Sequence, residues 1–157
     1  MYGNTFIMTT PKGWGVVVRN PLDGSVQSTI AVRNNIFCGG YTYGVVRPDS
    51  ERMAVPLLES EKNLIFKSSK HIGADWTRDL VGVDPLLVNP VSFLGSDGKA
   101  FTADDGYLLR QGSPCIDAGA KLEDTAATKD ILSTTRPQGF GWDIGAHEFA
   151  HDNNGPR

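Results

Sequence analysis

Short apolar runs separated by turn-forming residues are the dominant pattern along this chain. Runs of five or six residues, at 14–18, 28–32 and 41–46, are bounded by Gly, Pro, Asn or Asp. Runs of this length between such residues are typical of β-strands. The pattern therefore predicts an all-β fold built from short strands.

An asparagine followed by apolar residues recurs three times. The tetrapeptides Asn-Thr-Phe-Ile, Asn-Ile-Phe-Cys and Asn-Leu-Ile-Phe begin at Asn4, Asn35 and Asn63, so the asparagines are 31 and then 28 residues apart. This period favours a solenoid, in which each turn of chain stacks on the one before it. Asparagine suits such a place because it tolerates a left-handed backbone and because stacked amides hydrogen-bond to one another. Two alternatives stay open: chance recurrence in a loop-rich chain, and an antiparallel sheet with a hairpin at Asp23-Gly24.

Composition narrows the function classes. The chain has 157 residues, enough for one domain, and its 18 Gly and 9 Pro are spread evenly, which argues against a helical bundle. The net charge is −3 and the basic residues are scattered, so we expect no nucleic-acid partner. No run approaches the roughly 18 apolar residues of a membrane helix, so no membrane span is expected. The N-terminus lacks the pattern of an export signal, and the sequence leaves the localisation unknown.

The two cysteines, Cys38 and Cys115, stand far apart in the sequence and in no metal-ligand spacing. We expect both to behave as small hydrophobic residues, although one disulfide stays possible. Carboxylates are numerous and could gather Ca²⁺ for lyase chemistry. Because no spacing defines such a group, no metal site and no other cofactor are expected.

Four motifs follow one another between residues 82 and 149. They read GVDPLLV at 82–88, YLLRQGSPCIDAG at 107–119, a segment ending in Arg-Pro at 130–137, and WDIGAHEF at 142–149. In this order they resemble the C-terminal end of right-handed parallel β-helix proteins of the pectate-lyase-like group, which are bacterial and mostly secreted or on the cell surface. Three positions depart from the family pattern, with Cys115 in place of Ala, Ser133 in place of Gly, and His147 in place of an aromatic residue.

The resemblance implies a short right-handed parallel β-helix of about three coils with a C-terminal cap. We expect one domain over 1–149, with coils over 1–88, a closing and cap segment over 89–149, and a flexible tail over 150–157. Long members of the family carry further coils before this ending, and their lyase or hydrolase residues lie on those coils. The chain is therefore expected to be a fragment of a longer protein, or a short natural product without most of the catalytic platform.

The motifs also suggest roles for acidic residues and one arginine. Asp84, Asp117 and Asp143 stand in motifs that the family uses to close its helix, so we expect them to accept backbone N–H bonds in turns. Arg136 is expected to pair with Asp130 or Asp143 and so hold the cap loop. The functional alternative for Arg136 is binding of an acidic sugar.

Other side chains are candidates for chemistry or sugar binding. Lys70 and His71 belong to the one basic concentration, and β-eliminating lyases use such groups as the base beside a uronate carboxyl. With Arg47 and a carboxylate they could line a groove on the sheet face, whereas the alternative is a solvated loop. Tyr41 and Tyr43 alternate on one strand face, where they could stack on sugar rings.

Two functions follow from these features. The preferred one is a non-catalytic structural or weak carbohydrate-binding module, related to surface or secreted polysaccharide-active proteins. The alternative is a polysaccharide lyase or glycosidase acting on acidic glycans. A β-helix beginning at Met1 would expose unpaired strand edges, so we also expect a homo-oligomer, most simply a two-fold dimer joined through segments 4–7 and 14–18.

Overall fold

A computed structural model describes residues 1–10, 14–19, 30–46, 58–68, 77–123 and 125–151, with the backbone alone for 14–19, 30, 41–46, 58 and 125–126. This part of the chain is almost entirely β-structure and irregular segments, with one short 3-10 helix at Thr125–Thr128. The all-β prediction is therefore confirmed. The strands are β1 Thr5–Ile7, β2 Trp14–Arg19, β3 Ile30–Arg33, β4 Ile36–Cys38, β5 Tyr41–Val46, β6 Leu58–Glu61, β7 Leu64–Phe66 and β8 Leu80–Val81.

The strands form three sheets in which every strand pair is parallel. The large sheet has four strands in the order β1-β4-β7-β8. The second sheet pairs β2 with β5, and the third pairs β3 with β6. The chain thus visits the three sheets in one order and then visits them again in the same order. Thr5 lies opposite Ile36, which lies opposite Leu64, so the register reproduces the asparagine spacing of the sequence. The antiparallel alternative is wrong because β2 and β3 each pair with a later strand rather than with one another.

The turn before each of the first three strands of the large sheet uses a left-handed residue. These residues are Gly3, Asn34 and Lys62, with φ of 62°, 55° and 55°. Each stands one position before the repeated asparagine, so the expectation that the repeated asparagine itself supplies this conformation is wrong. The asparagine keeps an ordinary backbone because its amide, and not its φ angle, is what the stack requires.

The two faces of the large sheet are both covered by apolar residues. On one face Phe6 stacks on Phe37 with the ring centroids 5.0 Å apart, and Phe37 is fully buried. Because side chains alternate along a strand, Ile36 and Leu64 point to the opposite face. There they form a buried cluster with residues that follow β8: Leu87, Leu109, Cys115 and Ile144.

The segment after β8 therefore packs against one face of the large sheet. It contains isolated antiparallel bridges, such as Leu87 with Leu109 and Gly119 with Trp142, in place of regular strands. Backbone bonds tie it to the sheet, since the Gly145 N–H donates to the Asn34 carbonyl at 2.8 Å. The described residues include no helix with the length and apolarity that crossing a bilayer requires.

Candidate functional site

The repeated asparagines form a continuous hydrogen-bonded ladder. The Nδ2 of Asn4 donates to Oδ1 of Asn35 at 3.0 Å, and the Nδ2 of Asn35 donates to Oδ1 of Asn63 at 2.9 Å. Each acceptor oxygen also receives the backbone N–H of the preceding asparagine, at 3.1 and 2.9 Å. Asn35 and Asn63 are fully buried, so the ladder satisfies polar groups that water cannot reach.

Asp79 ends this ladder. Its Oδ1 accepts both the Nδ2 and the backbone N–H of Asn63 at 2.9 Å, and its Oδ2 accepts the hydroxyl of Ser60. A carboxylate has no N–H to donate, so the run of donors stops here. At the other end, none of the described residues donates to Oδ1 of Asn4.

A second polar cluster holds the segment after β8 together through three carboxylates. Oδ1 of Asp143 accepts the backbone N–H of Asp117 at 2.7 Å, and its Oδ2 accepts that of Phe149 at 2.6 Å. Asp130 accepts three backbone N–H groups, from Leu132, Thr134 and Glu148, at 2.7 to 2.9 Å. The carboxylate of Asp117 accepts the N–H of Gly141 at 2.8 Å. These oxygens are therefore occupied by the backbone.

Arg136 lies inside this cluster, with its side chain 4% exposed. Its guanidinium donates to the backbone carbonyls of Asp143 and Gly145 at 2.9 and 2.8 Å. Its ion-pair partner is Glu148, with Nη1 3.3 Å from Oε2, rather than the expected carboxylate of Asp130 or Asp143. The charges of Asp130 and Asp143 act on the guanidinium without a direct ion pair and favour its charged form.

Burial is the main cause of the altered pKa values in this cluster. It raises the pKa of Asp143 and of Glu148 and lowers the pKa of Arg136, because each charged form is withdrawn from water. Both carboxylates are partly compensated by backbone N–H bonds and by the guanidinium. Their arrangement is that of a buried, mutually satisfied network.

His147 is buried in the same region, with 2% of its surface exposed. Among the described residues, neither ring nitrogen has a partner at full hydrogen-bond geometry, and the backbone of Tyr107 is the one group near enough to act weakly as an acceptor or donor. Burial lowers the pKa of His147, and the charges of Asp130 and Asp105 oppose that change. The imidazole is therefore held in its neutral form at neutral pH.

A cavity of about 270 Å³ lies between the N-terminal residues and the segment after β8. One wall is apolar, since Trp142 packs with Leu122 and Ala127 and Tyr2 lies against them. Polar and charged groups complete the lining: Asn4, Asn34, Lys129, Asp130 and Arg136. Most of these lining residues are buried, and Trp142 is 6% exposed, so little of the indole surface faces the cavity.

The sequence-predicted residues fall into three groups. Asp117, Asp130, Arg136 and Asp143 come together in the buried network, whereas Asp84 lies apart and accepts the Leu86 N–H at 2.9 Å in a turn. Lys70, His71 and Arg47 lie outside the described residues. Tyr41 and Tyr43 belong to β5, and their side chains also lie outside the described part. The lyase groove and the tyrosine platform therefore stay predictions.

The roles of three side chains were not predicted from the sequence. Glu148 is the ion-pair partner of Arg136, Asp79 ends the ladder, and Lys129 lines the cavity. Asp79 had a usable signal, since Asp79-Leu80-Val81 repeats the polar-apolar-apolar pattern of the asparagine strands. Lys129 had none, because its place depends on two segments that meet only in the folded chain.

The cysteines give no sign of reactivity. Cys38 and Cys115 are free thiols, and burial raises the pKa of each to about 12. Both therefore stay protonated and are poor nucleophiles at neutral pH. Within the described ranges, no three His, Cys, Asp or Glu side chains converge as a metal site would require.

Neither a comparison with models of known protein families nor one with curated protein sequences gives a match to this chain.

Proposed function

We propose that this chain is a short right-handed parallel β-helix whose C-terminal segment covers one sheet face, and that it acts as a non-catalytic structural or weak carbohydrate-binding module. The β-helix is supported by the repeated order of the three sheets and by the register of the asparagine ladder. The motifs of residues 82–149 support kinship with surface or secreted polysaccharide-active proteins.

The main support for the non-catalytic assignment is that the buried carboxylates are engaged in hydrogen bonds and an ion pair within the protein. A general base needs a free lone pair aimed at the substrate proton. The carboxylates of Asp143 and Asp130 have both oxygens occupied by backbone N–H groups, and Glu148 is paired with Arg136. A network of this kind stabilises a fold, which supports a structural role for these three carboxylates rather than proton exchange with a sugar.

A turnover assay tests this proposal against a lyase. The protein is incubated with pectin, alginate and other uronate polymers, and unsaturated product is followed by its ultraviolet absorbance. We expect no product. Product that survives a mock purification and disappears in Lys70→Ala would overturn the non-catalytic assignment in favour of the lyase.

Carbohydrate binding is tested separately by electrophoresis in gels that contain neutral or acidic polysaccharides. We expect weak retardation by at least one of these polymers. If every polymer leaves the mobility unchanged, the carbohydrate-binding part falls and a structural role remains.

We further propose that the protein forms a two-fold dimer through its N-terminal strands. Support comes from β1, which is an edge strand of the large sheet among the described residues, and an edge strand is where another chain can pair. Phe6 adds to this edge, because its ring stacks on Phe37 on one side.

A further inference from the structure

The asparagine ladder has an open end at Asn4, beside the edge strand β1. The Nδ2 of Asn4 donates to Oδ1 of Asn35 and to the Tyr2 carbonyl, at 3.0 and 2.8 Å. Among the described residues, no donor reaches Oδ1 of Asn4, whereas Oδ1 of Asn35 and of Asn63 each receives two N–H groups. The ladder therefore ends on an acceptor that could receive two donors.

The fold shows twice which donors such an oxygen receives. At Asn35 and again at Asn63, they are the side-chain Nδ2 and the backbone N–H of the asparagine one repeat earlier, at 2.9 to 3.1 Å. The strands that follow these asparagines are parallel and in register, so equivalent residues lie side by side. Because both donors come from one residue, a strand that repeats this geometry at Asn4 must run parallel to β1.

The backbone bonds repeat together with the ladder. In both repeats the N–H of the residue after the asparagine donates to the carbonyl of the asparagine one repeat earlier: Ile36 to Asn4 and Leu64 to Asn35, each at 2.8 Å. The equivalent donor at the edge is the N–H of Thr5. It would bind the carbonyl of an incoming asparagine, so one strand could engage both the backbone and the side chain at this edge.

Phe6 gives the same edge an apolar surface. Its ring stacks on Phe37, with an angle of 3° between the ring planes, and part of its surface stays exposed. Phe37 lies opposite Ile65, and Ile65 lies opposite Val81, so an apolar residue occupies this position on every strand of the large sheet among the described residues. An apolar residue two places after the incoming asparagine would continue this row.

Asp79 keeps the last strand of this chain from serving as the incoming strand. It stands at the asparagine position before β8, and a carboxylate has no N–H to offer. If β8 of one copy lay on β1 of another, the Asp79 carboxylate would face Oδ1 of Asn4, acceptor against acceptor. The strands after Asn35 and Asn63, β4 and β7, already have neighbours on both sides. A strand with the required asparagine therefore comes from a different polypeptide.

We propose that the β1 edge is a docking site for one parallel strand of another polypeptide, which places an asparagine on Asn4 and an apolar residue over Phe6. The docking site goes beyond the function proposed above, since it depends neither on carbohydrate binding nor on the absence of catalysis. It shares its edge with the proposed dimer, so a bound strand and the dimer exclude one another.

A labelled peptide with the sequence of residues 61–67, EKNLIFK, tests the docking site by fluorescence anisotropy with the full chain. We expect saturable binding. The peptide with Asn63→Leu keeps the same charge but brings no side-chain donor, so it should bind at least about tenfold more weakly. The peptide with Asn63→Asp, which copies the end of the ladder, should be at least as weak. Equal affinity for EKNLIFK and its Asn63→Leu version, or no binding of either, would overturn the docking site.

Two matched variants of the protein locate the bound peptide. Phe6→Lys puts a charge on the β1 edge and should weaken binding by about tenfold or more. Val81→Lys changes the equivalent, half-exposed position of the other edge strand and should leave binding unchanged. Thermal midpoints show whether the variants fold, and the peptide pair keeps the test decisive if Phe6→Lys does not. Weakening by Val81→Lys alone would place the peptide on β8 and overturn the docking site.

Light scattering separates the docking site from the proposed dimer. If the protein is a dimer, EKNLIFK should shift its mass toward the monomer, and the Asn63→Leu peptide should not. A monomer that binds EKNLIFK supports the docking site and refutes the dimer. A dimer whose mass stays unchanged with the peptide bound forms through another surface, which refutes the proposed dimer interface and leaves the docking site standing.

Discussion

At the scale of single residues, the buried asparagines show how many hydrogen bonds one side chain can make. Oδ1 of Asn35 accepts two N–H groups from Asn4, and its Nδ2 donates to Asn63 and to the Arg33 carbonyl. The sequence spacing predicted this stack because a parallel register places equivalent residues side by side. It could not predict the left-handed residue, since that position holds Gly3, Asn34 and Lys62 in turn and shares no residue type.

Asn35→Ala should lower the free energy of unfolding by about 2–3 kcal/mol, because two N–H donors of Asn4 lose their acceptor and the buried Oδ1 of Asn63 loses a side-chain donor. Asn4→Ala is the matched control at the open end of the ladder, where fewer groups lose a partner, and about 1 kcal/mol or less is expected. Urea denaturation measures both. Equal losses in the two variants would contradict a ladder whose buried members matter most.

His147 predicts a pH dependence of stability. Its folded-state pKa is lowered by burial, so between that value and the ordinary value of 6.5 the unfolded chain binds a proton that the native chain does not. His147 therefore does not reduce the free energy of unfolding above pH 6.5. As the pH drops through this window, the free energy of unfolding falls by at most ~1.4 kcal/mol per pH unit because of this group.

His147→Phe should remove this component and leave the fold intact, since it replaces two buried nitrogens that lack a partner at full hydrogen-bond geometry by carbon. Unfolding free energies at pH 7.5 and 5.5 are compared for both proteins. Asp143 and Glu148 act in the opposite sense, because their raised pKa values favour the native state at lower pH. The difference between the two proteins isolates His147, and identical pH profiles would refute its role.

At the scale of elements, the parallel sheet and the segment after β8 depend on each other. β4 and β7 are apolar at all three positions, Ile-Phe-Cys and Leu-Ile-Phe, which is typical of parallel strands buried on both faces. The sequence of these strands thus indicates that another part of the chain packs on the second face of the sheet. The sequence did not predict which residues pack on that face, because Leu87, Leu109 and Ile144 come from distant parts of an irregular segment.

Arg136 clamps this segment, and its removal tests the network that holds it. Arg136→Met should lower the unfolding free energy by about 3–5 kcal/mol, since Glu148 would stay buried without its cation. The double variant Arg136→Met with Glu148→Gln should regain part of that loss, because the unpaired charge is gone. Arg110→Met, an exposed position, is the control and should change stability little. A double variant no more stable than Arg136→Met alone would argue against the ion pair.

At the scale of the whole molecule, β1 and β8 are the two edge strands of the large sheet among the described residues. The proposed dimer uses the β1 end, and the expectation of a dimer came from the resemblance to a β-helix whose first coil has unpaired strand edges. The side-chain geometry adds Phe6, whose ring is partly exposed although it stacks on Phe37.

Light scattering at micromolar concentration should give the mass of a dimer. Phe6→Lys should shift the mass toward the monomer, because a charge at this edge opposes pairing between identical chains. Lys99→Glu, an exposed position in the segment after β8, serves as the control and should leave the dimer intact. A stable monomer for the unaltered protein would refute the proposed dimer.

The direction of the asparagine ladder gives the stack an electrical polarity. Every side-chain amide in the ladder directs one N–H toward the next member and so toward Asp79. Their dipoles therefore add as peptide dipoles do along a helix, with the positive end at a carboxylate. Asp79 thus plays the part of an anion at a helix N-terminus, stabilised by a row of aligned dipoles. Since Asp79 offers no donor and Asn4 offers an acceptor, further amides could join this row only at the Asn4 end.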